Sequence, residues 1–379
     1  MKVVLAVDAI RPPLTGIGRY TWELATHFHR STELDNLRLL FGSRWIDDPA
    51  SLLLPQPRQR KPRWLFDPGW LRRRRVRSGL RGHLFHSPNY FLPPEVDEGI
   101  VTVHDLSVFK YPETHPDERL RYFDTHFAST LRRARHLITD SFATRDEVVD
   151  YFDWPGTGIS VVGLGVSPEF HPRSHADLLA PLRTYGLTPD RYALCVSTLE
   201  PRKRIDRLLA AYRDLPAATK KQYPLVLAGS HGWLNQNLLT TIEHGVQEGW
   251  LHHLGFVPDT LLPALYAGAH AFLFPSVYEG YGLPLLEALA SGIPSLTSNR
   301  SSLPEVAEGA AWLIEPDDHE LLKTGIAQVL YDDAWREQAR TRGLAVAAKR
   351  SWADCAARTL DVYRQMSALS CTSIVTVTS

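Results

Sequence analysis

The sequence predicts an α/β protein made of two doubly wound, Rossmann-like domains, and three observations carry the prediction. Strand-like and helical segments alternate in two successive runs, the strand-like segments are mostly apolar throughout, and a proline-rich break separates the runs. In the first run Lys2–Asp8, Leu37–Phe41, His83–His86, Ile100–His104, His136–Thr139 and Ile159–Val162 read as strands. Helical pattern fills Gly18–Arg30, Pro116–Ala134 and Ala143–Phe152 between them. The second run places strands at Tyr192–Val196, Leu225–Ala228, Leu251–Phe256, Ala271–Phe274, Pro294–Thr297 and Ala311–Ile314. Apolar runs without alternation suit parallel strands covered on both faces.

Pro168, Pro172, Pro181 and Pro189 interrupt regular structure between the runs. The expected division is therefore 1–170, 171–350 and a final segment, 351–379. That segment opens with Ser351-Trp352-Ala353-Asp354, a capping-box pattern, and carries Trp352, Ala356, Leu360 and Tyr363 on one stripe. It is expected to pack back on the first domain, with a poorly ordered Ser/Thr-rich tail after Ala368.

Composition narrows the function. The 379 residues are 44% hydrophobic and 22% charged, as in a folded globular chain, and exceed one ordinary core. With 42 basic and 42 acidic side chains, no global field recruits nucleic acid or anionic membrane. Cys195, Cys355 and Cys371 lack metal-ligand spacing and cannot all pair, which points to a reducing, cytoplasmic setting. The apolar run at Met1–Asp8 is too short for the core of a signal peptide and reads as a strand. No apolar run approaches the ~20 residues of a membrane span.

One stretch breaks the charge balance. Residues 58–81 hold ten Arg or Lys (Arg72 to Arg75 among them) against Asp67, interleaved with Trp64, Phe66 and Trp70. Bases beside interfacial aromatics suit peripheral contact with anionic phospholipid; a solvated basic loop is the plain alternative, and no nucleic-acid-binding fold accompanies the stretch.

In doubly wound sheets, ligands bind beyond the carboxyl ends of strands, and two such domains facing each other would make a cleft. After the Ala271–Phe274 strand comes Glu279-Gly280-Tyr281-Gly282-Leu283-Pro284-Leu285-Leu286-Glu287. Pro284 is placed to open a helix and Gly292 to stop it, so the amides at Gly282 and Leu283 form an anion-binding terminus bracketed by two carboxylates. After Tyr192–Val196 come Arg202 and Lys203, which could neutralise a leaving diphosphate or be a solvated basic turn. Gly16 and Gly18 follow the first strand, but Thr21 stands where a dinucleotide fingerprint needs its third glycine. His104 ends a strand, as do Asn89 and Tyr90 on a possible acceptor side. Gly229, Ser230, Phe256 and Val257 follow strands of the second domain. No Asp-x-Asp occurs, so no metal site for a diphosphate is expected.

On the Glu279–Glu287 segment, the chain resembles the retaining glycosyltransferase family 4 of GT-B fold, which carries Glu-x7-Glu at this place. The resemblance covers nearly the whole chain. It implies that Glu279 contacts the donor sugar, Glu287 the ribose hydroxyls, Gly282 and Leu283 the sugar and phosphates, and His104 the donor sugar. It also puts Gly16 and Gly18 near the donor phosphate, and Gly229, Ser230, Phe256 and Val257 beside the nucleotide. Many members have Gly-Arg-Leu where this chain has Ser197-Thr198-Leu199, leaving Arg202 as the substitute phosphate ligand. The Glu-Pro-Arg-Lys wording at 200–203 is similar to bacterial polysaccharide mannosyl- and rhamnosyltransferases, which use GDP-sugars. A hexosyltransferase needing no cofactor or metal is thus expected. Its acceptor would be a growing saccharide such as O-antigen on undecaprenyl diphosphate, at the cytoplasmic face of the inner membrane. The alternatives are a UDP-sugar 2-epimerase, an NAD-dependent oxidoreductase and a noncatalytic sugar-nucleotide-binding protein.

Overall fold

The computed structural model describes residues 1–14, 16–54, 69–230, 232 and 236–375. They form two compact units, one of 1–104, 121–165 and the chain from Trp352 onward, the other of 105–120 and 166–351. Residues 105–120, expected in the first domain, cluster with the second unit. There the Leu106 N–H donates to the Tyr278 hydroxyl at 2.9 Å, and the Tyr111 ring lies 5.2 Å from that of Tyr278.

The first unit holds a sheet of β1 (Lys2–Ala6), β2 (Asn36–Phe41), β3 (Arg44–Ile46), β4 (Leu84–Ser87), β5 (Gly99–Val103), β6 (Ala134–Thr139) and β7 (Ile159–Val161), in the order β3-β2-β1-β4-β5-β6-β7. All pairings are parallel except the β2–β3 hairpin. That hairpin was not expected, because Arg44-Trp45-Ile46 is too short for a periodic signal. The Gly42-Ser43 turn, with Gly42 at φ 59°, is the local feature that specifies it. Val3, Val4, Leu5, Ile100, Val101, Leu137 and Ile138 have no exposed surface. Each such side chain contributes roughly 1.5–3 kcal/mol of burial, which is why these strands are apolar on both faces.

The second unit's sheet contains β8 (Ala193–Val196), β9 (Leu225–Ala228), β10 (Leu251–Gly255), β11 (Ala271–Phe274), β12 (Ser295–Ser298) and β13 (Ala311–Ile314). They are all parallel, in the order β10-β9-β8-β11-β12-β13. Both sheets reverse their winding once, between β1 and β4 and between β8 and β11. These switch points are where loops diverge and leave room for a ligand.

Two expectations about the connections need correction. Pro181 lies inside a helix, His175–Arg183, rather than in irregular chain; it sits in the last turns of a short helix whose start is capped by Ser174. The final helix runs from Trp352 to Val375, past the expected end at Ala368; residues 376–379 lie outside the described part. Its stripe of Trp352, Ala356, Leu360 and Tyr363 is buried, and it packs on the helix Gly16–Arg30. The Tyr363 hydroxyl meets His86 Nδ1 at 2.6 Å, and His86 Nε2 meets Thr102 Oγ1 at 2.8 Å. No helix among the described residues is long and apolar enough to cross a membrane.

Candidate active site

At the second unit's switch point, the chain leaving β8 forms a tight turn, Pro201–Lys203, closed by Arg204 in the left-handed region at φ 52°. The chain leaving β11 is tied to this turn: the Val277 N–H donates to the Arg202 carbonyl at 2.9 Å, and Ser276 Oγ to the same oxygen at 3.2 Å. These backbone ties bring three charged side chains into one buried place. Lys203 Nζ donates to Glu279 Oε1 at 2.5 Å, and Arg202 Nη1 to Glu279 Oε2 at 3.3 Å. Lys203 is only 7% exposed and Glu279 8%. Lys203 Nζ also lies 5.4 Å from the centroid of the Phe274 ring.

Arg202 is held by further partners. Its Nη1 donates to the Tyr278 carbonyl at 2.8 Å and its Nε to Glu200 Oε2 at 3.1 Å. Thr198 Oγ1 in turn donates to Glu200 Oε1 at 2.7 Å. Thus Thr198, in the stretch Ser197-Thr198-Leu199 that departs from Gly-Arg-Leu, orients the carboxylate that orients Arg202. From segment 105–120, Asp105 accepts from the Ser107 N–H at 2.9 Å and Ser107 Oγ at 2.7 Å, and Ser107 Oγ meets His115 Nε2 at 3.0 Å. Burial would raise the Asp105 pKa, but the positive Arg202, the Ser107 bonds and Arg119 outweigh it and lower it below the usual carboxylate value. Glu279 follows the same logic: burial pushes upward, and Lys203 with Arg202 pull harder downward, keeping it ionised. Burial works against the charge on Arg202, yet Glu279, Asp105 and Glu200 together raise its pKa.

The Glu279 backbone is fixed as firmly. Its N–H donates to Ser301 Oγ at 2.9 Å, and Ser302 Oγ donates to the carbonyls of Glu279 at 2.9 Å and Tyr281 at 2.8 Å. Gly282 follows at φ 106° and caps the helix Leu283–Ala290, which has Pro284 in its first turn; Gly292 ends it at φ 72°. Glu287 lies in this helix, half-buried and close to Tyr266.

Gly229 and Ser230 follow β9 beside the same turn. The Leu199 N–H donates to the Ser230 carbonyl at 3.2 Å, and a Cβ on Gly229 (φ 143°) would stand 1.9 Å from the Ser197 carbonyl oxygen. Only glycine fits there. Gly232, which was not expected, is nearly as confined: a Cβ there would stand 2.3 Å from the Leu199 carbonyl oxygen. Phe256 is 54% exposed after β10, while Val257 is buried.

The remaining candidates belong to the first unit. Gly16 and Gly18 are already in the first turn of the helix Gly16–Arg30 instead of a free loop, and a Cβ on Gly16 would meet nothing within 4 Å. His104 Nδ1 lies 2.7 Å from Asp140 Oδ2 and Nε2 2.8 Å from the Pro88 carbonyl. Both ring nitrogens are engaged inside the first unit, which fastens the ring at the end of β5. Tyr90, offered as an acceptor contact, is 2% exposed and packs its ring against His104, Phe123 and Phe127. It is a core residue, and its neighbour Asn89 is the one that lines a cavity. Glu200, Thr198, Asp105 and Ser107 were missed as site residues; each lies within four residues of a strand end, which is the signal that could have found them.

Two doubly wound units in one chain, one presenting paired cations and a buried carboxylate at its switch point, define a GT-B glycosyltransferase. Residues 185–345 match the family of glycosyl transferases group 1, and the chain belongs to that family. It is 39% identical to O-antigen chain mannosyltransferase B of Escherichia coli, over 96% of this chain and 100% of the relative. It is 30% identical to the E. coli serotype-specific mannosyltransferase WbdA over 74% of this chain, although that covers 36% of the longer relative. Its fold is similar to that of WaaG, a glycosyltransferase involved in lipopolysaccharide biosynthesis, with a TM-score of 0.70 and 18% identity over 95% and 99% of the two chains. Anabaena HepE in complex with UDP and glucose gives 0.73 and 17%, over 96% and 99%.

Proposed function

We propose that this protein transfers a hexosyl group, mannose or D-rhamnose, from a GDP-sugar to a growing polysaccharide such as O-antigen carried on undecaprenyl diphosphate. Configuration at the anomeric carbon is retained and no metal ion takes part. The observation that carries this reading is the convergence of Lys203 and Arg202 on Glu279 at the switch point of β8 and β11. Two cations held in a poorly hydrated place can accept the charge that grows on a departing nucleoside diphosphate. When the diphosphate arrives it competes for both cations, and Glu279 turns to the sugar hydroxyls. Glu287 takes the ribose, the Gly282–Leu283 amides approach the phosphates, and Gly229, Ser230, Phe256 and Val257 line the nucleotide. The names of the E. coli relatives support mannose and the O-antigen chain.

The same reading includes peripheral contact with anionic membrane through 58–81. Of this stretch, residues 58–68 lie outside the described part. The helix Gly69–Leu80 buries Val76 and exposes Arg73, Arg74, Arg75 and Arg77, with Trp70 63% exposed beside them. Each base near an anionic surface contributes about 1 kcal/mol.

The test is a panel of GDP-, UDP- and dTDP-sugars with lipid-linked acceptors, followed by nucleotide release and product mass. Release that requires both a GDP-hexose and the acceptor supports the proposal. Release without a lengthened product, or a preference for UDP- or dTDP-sugars, overturns it.

A further inference from the structure

The segment that sets the backbone of Glu279 has its own support elsewhere in the chain. Ser301 and Ser302 hold the Glu279 N–H and carbonyl, and Ser302 is also the residue on which the helix Leu303–Ala307 starts. The Val306 N–H donates to the Ser302 carbonyl at 2.9 Å. Leu303 is fully buried, and a Cβ on Gly282 would stand 2.7 Å from its Cδ2, so this helix packs directly behind the turn at Gly282.

Five residues are too few for a helix to sustain itself in water, and the carbonyls of its last turn have no intrahelical donors. Arg350 supplies them. Its Nη1 donates to the Val306 carbonyl at 2.9 Å and its Nη2 to that of Glu305 at 3.2 Å. Nη2 also bonds the carboxylate of Glu308, which closes the helix at φ 44°. The guanidinium lies 5.9 Å from the centroid of the Tyr281 ring, and the Tyr281 carbonyl is itself held by Ser302. The Arg350 side chain is 15% exposed, so little water competes for these bonds. Its backbone is fixed too: the Val166 N–H donates to the Arg350 carbonyl at 3.1 Å, and Val166 forms a parallel bridge with Ser351.

A helix of little more than one turn moves as one piece, so a shift at its carboxyl end is also a shift of Ser302 and Leu303. We propose that Arg350 is a positioning residue for glycosyl transfer. By holding the helix Leu303–Ala307 it fixes, through Ser302 and Leu303, where Glu279 stands relative to the donor sugar. A misplacement of about 1 Å at a reacting centre can cost about 100-fold in rate. The proposal rests on the glycosyl-transfer reading and adds to it what sets the position of that glutamate.

The experiment uses the full chain with Arg350→Met, Ser302→Ala, the double variant, and Lys349→Met. Lys349 pairs with the same Glu308 at 3.9 Å and serves as the control. Hydrogen exchange of the amides in 279–286 is expected to quicken about tenfold or more in Arg350→Met and to stay unchanged in Lys349→Met. Turnover of GDP-mannose with a saccharide acceptor should fall about 10- to 100-fold in Arg350→Met, while GDP affinity by calorimetry stays within about twofold. The double variant should turn over no more slowly than Ser302→Ala, because both changes act along one path. Should Arg350→Met fail to fold, Arg350→Lys, which keeps the charge beside Glu308 and can serve a single carbonyl, gives the same readouts with smaller changes. Unchanged exchange in 279–286, equal losses of turnover and GDP affinity, or losses that multiply in the double variant overturn the proposal. Faster exchange in Arg350→Met, in a protein whose wild type transfers from no GDP-sugar, supports the hold of Arg350 on the Glu279 loop and overturns the transfer reading.

Discussion

Lys203 and Glu279 are 76 positions apart in sequence and meet as a buried pair, Nζ to Oε1, at 2.5 Å. Neither charge is stable alone at that depth, so each residue sets the state of the other. Glu279→Gln is expected to leave Lys203 without its counter-charge, destabilising the second unit by about 3–5 kcal/mol and reducing kcat by about 100-fold or more. Glu200→Gln removes the acceptor for Arg202 Nε, and should lower kcat more than it weakens donor binding. Urea unfolding and single-turnover rates check both. Normal turnover in Glu279→Gln would rule out the pair as the centre of the site.

Glu287→Ala should act differently, because Glu287 lies within the helix Leu283–Ala290 close to Tyr266, whereas Glu279 is bonded to Lys203 and Arg202. GDP affinity is expected to fall about tenfold, by calorimetric titration, with little change in turnover at saturating donor. A variant with full GDP affinity and reduced turnover would reverse the roles assigned to the two glutamates.

Gly229→Ala tests the backbone of the site. The new Cβ would lie 1.9 Å from the Ser197 carbonyl oxygen, at a φ of 143° that side chains avoid. The β8 and β9 loops must then part, at a cost of roughly 3 kcal/mol or more. An unchanged urea midpoint would show that the loops yield freely.

His86 gives the first unit a pH dependence. Burial, with the charge of His104 behind it, pushes its pKa from 6.5 down to about 3. The unfolded chain takes up this proton below 6.5 and the folded chain does not, so stability is full above that pH. It falls by about 1.4 kcal/mol per unit as the pH drops from 6.5 towards 3. Comparing the stability of wild type and His86→Gln between pH 7 and 5 isolates this slope; parallel profiles would exclude His86 as its source.

Replacing Arg72 to Arg75 by Ser should abolish flotation with vesicles containing anionic phospholipid and leave neutral vesicles unaffected. Undiminished flotation would remove membrane docking from this helix.

The strands of both sheets were legible because burial on both faces demands continuous apolar runs, as in Val3-Val4-Leu5 and Leu225-Val226-Leu227. The Glu279–Glu287 segment was legible because Gly282, Pro284 and Gly292 each meet a local backbone requirement. His104 and Tyr90 misled for one reason. A strand-end position marks what can face a ligand, but a polar or aromatic side chain there is equally suited to the core, and Asp140, Pro88 and the Phe123 ring took them.

The sequence by itself determined the two doubly wound sheets, the helix behind Glu279, and Arg202 and Lys203 at a strand end, since all of these depend on neighbours in the chain. Only the tertiary structure decided that Glu279 pairs with Lys203, that Glu200 and Asp105 share Arg202, and that Arg350 takes the last carbonyls of the helix Leu303–Ala307. Those relations depend on which loops the sheet order brings together, and charges and rings far apart in sequence acquire their partners only when the strands are in place.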